Sequence, residues 1–368
     1  MSCGTFILTW RAWLSTIFNL AYTLSINGTV YTASDFADMV YSISCDKGGI
    51  QGIATGCLTF RLYSAIDIDL TKGTAVLFSG VNTTFYIDKA DKNGHIYNVT
   101  AYDKCKNVDR EFDTSNYSQY DAQGNVKSWA TSLIISDIAH QCGYTDAGGS
   151  RISDAVDVMY FNDFHGKTCR QILDELSNAG VGYFYDAGAT LSFWEYGSYS
   201  TKYIERSDRT EYNIKDSAAI SGIYASYGLD PNQEYVSLSS TAGSRIDVSG
   251  RYMSPTNAAD MASLILTGAG GAVRIWYEWS VSSAIVQDLI QLCNAITYEG
   301  KRLFIRSARY RFGADIIAEF SAPAAPIGEY KSKAERQIGY CLRRDENNGG
   351  VQITRECGLV LVPTIETE

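Results

Sequence analysis

Leu58, Phe60 and Leu62 alternate with Thr59, Arg61 and Tyr63. A period of two marks a strand that buries one face, because successive side chains point to opposite sides of a sheet. Similar short runs occupy Ala75–Ser79, Thr83–Ala90 and His95–Tyr102, and the turn Asp91-Lys92-Asn93-Gly94 separates the last two. Asn27-Gly28 sits between Tyr22–Ile26 and Thr29–Thr32. That dipeptide accepts the positive φ of a type I′ turn, so a hairpin is predicted there. Strands this short and this closely spaced predict a small barrel or sandwich.

After Asp103 the period changes. Trp129, Leu133, Ile134, Ile138 and Cys142 recur at helical spacing, and Gly143 is a natural stop. Thr168 and Gln171 match a capping box. Behind them Ile172, Leu173, Leu176 and Ala179 form one apolar face, and Gly180 ends the helix. Val181–Tyr185, the turn Asp186–Ala189 and Leu191–Glu195 then predict a hairpin. Strands return at Ile220–Tyr227, Tyr235–Leu238 and Arg245–Val248. Helical spacing is found again in Asn257–Thr267 and Ser283–Ile296. Arg302–Arg311, Asp315–Phe320 and Gly358–Val362 read as late strands.

The fold class predicted is α+β, mainly β, with two small β-barrel modules separated and interrupted by α+β and helical inserts. The divisions are an N-terminal arm or helix at 1–20, a first β module at 21–103, an α+β insert at 104–202, a second β module at 203–255 and 300–368, and a helical insertion at 256–299.

Composition agrees with this reading. Hydrophobic residues make up 45% and charged residues 20% of 368, which suits a folded chain of more than one core. The 26 tyrosines favour pleated surfaces and interfaces. A net charge of -10 without a Lys/Arg run disfavours nucleic acid as the main ligand. It suits DNA that passes through a lumen without sticking. Nine cysteines without a C-x-x-C pair read as free, mostly buried thiols of a reducing compartment. Residues 5–24 contain Arg11 and many hydroxyl side chains, so they predict a packing arm and no stable membrane anchor.

Candidate chemistry is sparse. His95, His140 and His165 lack metal-ligand spacing, and neither a nucleophile elbow nor a P-loop is present. No catalytic, cofactor or metal residue is assigned. Asp67 and Asp69 would share one face if Asp67-Ile68-Asp69 were a strand, and Asp174 and Glu175 read as a solvated helix face. Two aromatic clusters stand out: Tyr183, Tyr185 and Trp194 on the predicted hairpin, and Trp276, Tyr277 and Trp279 further on. Both are candidate interface residues.

The run Asn98–Lys104, with Ala101-Tyr102-Asp103 at its centre, resembles a recurrent segment of phage tail and baseplate hub proteins, of contractile-tailed phages and phage-like prophages. In that family such a strand closes the first barrel. Ser132–Gly143, Leu24–Leu62 and Thr168–Asp186 are similar to the family's helix, opening and helix-to-hairpin segments. The likeness covers about Leu24 to Phe320. It implies a non-enzymatic structural protein of the virion, assembled in the host bacterial cytoplasm. Its two modules would be tail-tube-like and its assembly a homotrimeric ring at the tail tip, adapting a sixfold tube to a threefold spike. Implied partners are itself, tail tube or distal tail proteins, a spike or tip protein and a tape measure protein. The alternatives are a tail-associated wall-degrading enzyme and a receptor-binding module.

Overall fold

A computed structural model describes residues 22–32, 34–45, 52–81, 83–148, 158–180, 182–195, 201–203, 209–226, 234–238, 244–247, 275–283, 295–298, 301–305, 307–312, 316–322 and 328–329. The expected arm at 1–20, the helix at Asn257–Thr267 and the strand at Gly358–Val362 lie outside these residues.

The first hairpin forms where Asn-Gly demands it. β1 (Leu24–Ile26) pairs antiparallel with β2 (Thr29–Tyr31), and Asn27 and Gly28 take φ of 51° and 79°. Then come β3 (Phe36–Cys45), β4 (Gly52–Tyr63), β5 (Ala75–Phe78), β6 (Thr84–Asn93) and β7 (Ile96–Tyr102). Pairing runs β2–β1–β5–β6–β7–β4–β3, all antiparallel. The alternation in β4 does what its pattern requires. Leu58, Phe60 and Leu62 are buried, with Leu24, Ile26, Val76, Phe78, Phe85, Ile87 and Val99. Asp67-Ile68-Asp69 lies in no strand; Asp67 instead pairs with Lys92 beside the loop.

The α+β insert starts with a short 3-10 turn at Lys104–Asp109 and continues with β8 (Ser128–Ala130), α1 (Thr131–Gln141) and β9 (Asp146–Gly148). After it come β10 (Val158–Tyr160), α2 (Phe161–Phe164), α3 (Cys169–Gly180), β11 (Gly182–Ala187) and β12 (Thr190–Glu195). The capping box is present: Thr168 N donates to Gln171 Oε1 at 2.9 Å, and Gln171 N donates to Thr168 Oγ1 at 3.2 Å. Ile134, Ile138, Cys142, Ile172, Leu173, Leu176, Phe184 and Leu191 share one core with Ile53 of β4.

Two details of the helices differ from the sequence pattern. Trp129 is in a strand, opposite Met159, and its indole N–H donates to Ser118 O at 3.1 Å, so α1 begins two residues later. The buried face of α1 is accordingly turned toward Ile135 and Ala139, and Leu133 is 44% exposed. Asp174 is buried, whereas Glu175 is exposed and ion-paired to Lys167 at 2.8 Å.

The remaining strands are β13 (Thr201–Tyr203), β14 (Arg209–Ser226), β15 (Glu234–Leu238), β16 (Ser244–Asp247), β17 (Ile275–Ser283), β18 (Ala295–Tyr298), β19 (Lys301–Phe304), β20 (Ser307–Phe312), β21 (Ile316–Ala322) and β22 (Gly328–Glu329). Strands therefore occupy both 275–283 and 295–298, inside the stretch read as a helical insertion. The late run at Arg302–Arg311 is two strands broken at Ile305. β20 pairs with β21 on one side and with β3 on the other. The sheet then continues through β17 to β14. The protein is thus mostly β, built on a curled half-barrel sheet that runs from the first strands into the late ones. Its rings interlock across the join: Tyr310 stacks on Tyr41 at 6.0 Å, and Phe312 meets Tyr22 and Phe78 at 4.8 and 5.1 Å.

Candidate assembly surface

Two buried carboxylates sit where the first sheet passes into the insert, and the first of them bridges the two. Asp103 follows β7 and N-caps the 3-10 turn, accepting from Cys105 N at 3.1 Å. Its other oxygen accepts from Gly56 N at 2.6 Å, in the middle of β4. Asp186, at the β11–β12 turn, accepts from Lys104 N at 3.0 Å, Gly188 N at 2.6 Å and the Tyr144 hydroxyl at 3.2 Å. Lys104 Nζ donates to Gly188 O at 3.2 Å and lies over the Tyr144 ring. Burial first, and then the charge of Asp186, push the Asp103 carboxyl well above the usual range. Burial also raises Asp186, although its donors pull the other way. A Cβ on Gly56 would stand 2.8 Å from Asp103 Oδ2, so that site needs glycine. This lock is the structural content of the Ala101-Tyr102-Asp103 segment. Two sequence signals pointed to it: a glycine inside an alternating strand, which marks a close approach, and an aspartate at a strand end.

Beside the lock lies an open groove of about 770 Å³, between β1, β5 and the β11–β12 turn. It is lined by Thr23, Ser25, Leu77, Thr84, Lys104 and Gly188, among others. Two exposed apolar side chains stand out on the sheet there. Val30 and Leu77 stand on either side of Ser25 in register, and they are 61% and 51% exposed. A second exposed group forms at the far end of β4 and β7, where Tyr63 pairs with Ile96 and Ile66 is 77% exposed. A third lies on the insert, where Tyr120 stands opposite Val126; Val158 of β10 and Leu133 of α1 are exposed as well. Sequence reading did not select these residues. Their signal was alternation: in Ala75–Phe78, Val76 and Phe78 point in, which leaves Leu77 out.

The aromatic candidates are placed differently from one another. Tyr183, opposite Trp194 and Gly52, is 3% exposed, so its ring belongs to the packing of the hairpin and has little surface to offer a partner. Tyr185 and Trp194 are part-buried, with ring centroids 6.1 Å apart. The Trp194 indole N–H is buried and makes no hydrogen bond. A Cβ on Gly182 would collide with the Trp194 carbonyl, which explains the glycine before Tyr183. Trp276, Tyr277 and Trp279 occupy β17, which pairs with β14 and, from Trp279 onward, also with β21.

The histidines serve local structure. His95 Nδ1 lies 3.2 Å from Ser64 O, and His140 Nε2 lies 3.1 Å from Thr145 O. His165 stacks on Phe161 and lies 3.2 Å from the Thr114 hydroxyl. Asp163 closes a capping box with Tyr160 N at 2.8 Å. Among the described residues no group of His, Cys, Asp and Glu could hold a metal ion, and no helix is long and apolar enough to cross a membrane.

No family model matches the sequence, and no curated protein matches it. Solved structures do. The 43 kDa tail protein of prophage MuSo2 from Shewanella oneidensis aligns with a TM-score of 0.57 at 12% identity, covering 83% of this chain and 98% of that one. Prophage tail protein gp18 from Listeria monocytogenes EGD-e aligns with a TM-score of 0.53 at 12% identity, covering 86% and 97%. The chain thus shares its overall fold with these two prophage tail proteins.

Proposed function

We propose that the chain is a structural subunit of a phage tail tip or baseplate, the hub at which the tube meets the spike. The observation that carries this reading is the fold likeness to the MuSo2 tail protein, which extends over 98% of that chain. Likeness over a whole chain favours a shared architecture over a shared module. In this reading the chain forms a homotrimeric ring, each subunit presents two tube-like β modules, and the protein works in the virion without catalysis. Its partners are tail tube or distal tail proteins, a spike or tip protein and a tape measure protein. DNA meets it only by passing through the lumen.

Subunit and partner contacts are assigned to the exposed apolar groups at Val30 and Leu77 and at Tyr63, Ile66 and Ile96, joined by Tyr185, Trp194, Trp276, Tyr277 and Trp279. Exposed apolar patches of this kind are the usual material of interfaces. The test is the mass of the purified full chain by light scattering, with negative-stain class averages and antibody labelling of particles. The expected result is a threefold ring in solution and label at the tail tip, with the Val30→Lys/Leu77→Lys variant folded but monomeric. A wild-type chain that stays monomeric at high concentration, with no label on tails, overturns the reading.

A further inference from the structure

One row of residues crosses four strands of the first sheet in register. Val30 of β2 stands opposite Ser25 of β1, Ser25 opposite Leu77 of β5, and Leu77 opposite Thr84 of β6. Its two apolar members, Val30 and Leu77, are both exposed. Leu77 lines the open groove of about 770 Å³, and its companions there are small: Ser25, Gly80 and the turn residues Ala187, Gly188 and Ala189. The N-terminal part of the chain reaches the sheet at this same groove. Thr23 lines it and is fixed there, because Thr23 N donates to Ser79 Oγ at 2.9 Å and Ser79 N donates to Thr23 O at 3.1 Å. Tyr22 is held by its ring, whose centroid lies 5.4 Å from that of Phe78 and 4.8 Å from that of Phe312. Residues 1–21 precede it. Among them Trp10, Trp13, Leu14, Ile17 and Phe18 recur at helical spacing, and Ser15, Thr16 and Asn19 fall on the other side of that pattern. An apolar stripe of this size needs a surface to cover it.

We propose that this stripe docks in the groove of a second copy of the chain, over Leu77 and Val30, so that each subunit lends its N-terminal arm to a neighbour. Size favours the fit. Bulky rings on the arm meet small side chains around a leucine, and the hydroxyls of Thr23, Ser25 and Thr84 offer acceptors for an indole N–H. The direction of the chain selects a neighbour over the chain's own arm. β1 runs from Leu24, opposite Phe78, to Ile26, opposite Val76, so the chain arrives at Thr23 from the end of the strand farther from Leu77. To lay the stripe over its own groove, the chain would have to reverse within Asn19–Ala21, directly ahead of the anchored Tyr22. The arm of a neighbour meets no such restriction. An arm given on one side and a groove filled on the other make a heterologous contact, which closes into a ring when the rotation between copies allows it. That the ring closes at three rests on the tail-hub reading above. The contact between arm and groove does not.

The test uses the full chain with Leu77→p-benzoylphenylalanine, a photoreactive residue, in an equal mixture with heavy-isotope wild-type chain. The mixture is diluted and reconcentrated until native mass spectrometry shows mixed species, then irradiated, digested and mapped. The expected product joins the light peptide at position 77 to a heavy peptide from residues 1–21. Thr84→p-benzoylphenylalanine, which also lines the groove, repeats the measurement with Leu77 in place, and a heavy arm peptide joined at either position supports the proposal. Trp13→Glu in the heavy chain should lower the yield of that product by about tenfold or more, the effect of losing one interface anchor, with an unchanged circular dichroism melt. A chain that forms no mixed species, joins only to light arm peptides, joins to other segments, or gives no join from either position overturns the proposal. So does a Trp13→Glu yield equal to that of wild type. Rings at tail tips without the arm product would leave the tail reading standing and sink this one, and arm exchange in a chain absent from tails would do the reverse.

Discussion

Replacing Asp103 tests the lock between the first sheet and the insert. Asp103→Ala removes the acceptor for two backbone N–H groups, Gly56 at 2.6 Å and Cys105 at 3.1 Å. Leaving a buried donor unsatisfied costs about 1–3 kcal/mol, and losing an N-cap costs about 0.5–2 kcal/mol. Against this, the variant no longer buries a carboxylate beside Asp186. The two effects together should leave a loss of about 2–4 kcal/mol, since two backbone donors lose their acceptor. At about 2–4 °C per kcal/mol, the slope for a unit of about 150–250 residues, melting should fall by about 4–16 °C. Circular dichroism melts at pH 7 measure it. The pH dependence of the Asp103→Asn variant provides the second arm. Because the folded carboxyl is raised above its ordinary value of 3.8, the native state binds a proton that the unfolded chain lacks between the two values. That contribution is complete below the ordinary value and is lost as pH rises through the folded one. Asparagine has no such proton. The stability gap between wild type and Asp103→Asn should therefore widen in favour of wild type as pH falls from 7 toward 4. Carboxylates such as Asp109 and Asp113, which are held low and lose stability in acid, act equally in both proteins and cancel. A gap that is flat, or that widens with rising pH, refutes the argument. So does an Asp103→Ala chain within about 0.5 kcal/mol of wild type.

Gly182→Ala forces a Cβ into the Trp194 carbonyl and should cost about 1–3 kcal/mol, read by urea melts and by loss of near-UV signal from the hairpin. Tyr310→Ala opens the stack between the early and late strands at a residue 1% exposed, and a loss of about 3–5 kcal/mol is expected in the same melts. On α1, Ile134→Ala should cost about 2–5 kcal/mol while its neighbour Leu133→Ser stays within about 0.5 kcal/mol, because only the first is in the core.

Which features were legible in the sequence follows from how far apart their causes lie. The Asn27-Gly28 turn and the Thr168–Gln171 box are made by residues within one turn of each other, so composition and spacing specify them. The side of α1 that faces the core is not local. It depends on Trp129 being drawn into a strand by Met159, across a long stretch of chain, and this is why Leu133 reads as core yet stands outside. The buried Asp174 has the same origin. A carboxylate on a helix reads as solvated until Gly52 and Ser177 are known to meet there, with Ser177 Oγ accepting from Gly52 N at 2.9 Å and donating to Asp174 O at 2.8 Å.

The path of the sheet is the extreme case. β3 alternates only weakly, and nothing in Phe36–Cys45 states which strand covers its outer edge. That edge is taken by Ser307–Phe312, which pairs residue for residue from Ser44 to Met39. An uncovered strand of this length is an aggregation hazard, so the covering strand is a requirement of the fold. Its identity is settled by rings. Tyr310 fits against Tyr41 and Phe320, and Phe312 against Tyr22 and Phe78, so one register fills the space between the two halves and a slip by one residue would turn every ring to the wrong face. The early and late strands are therefore joined in one sheet through the β3–β20 pairing and the rings packed beside it.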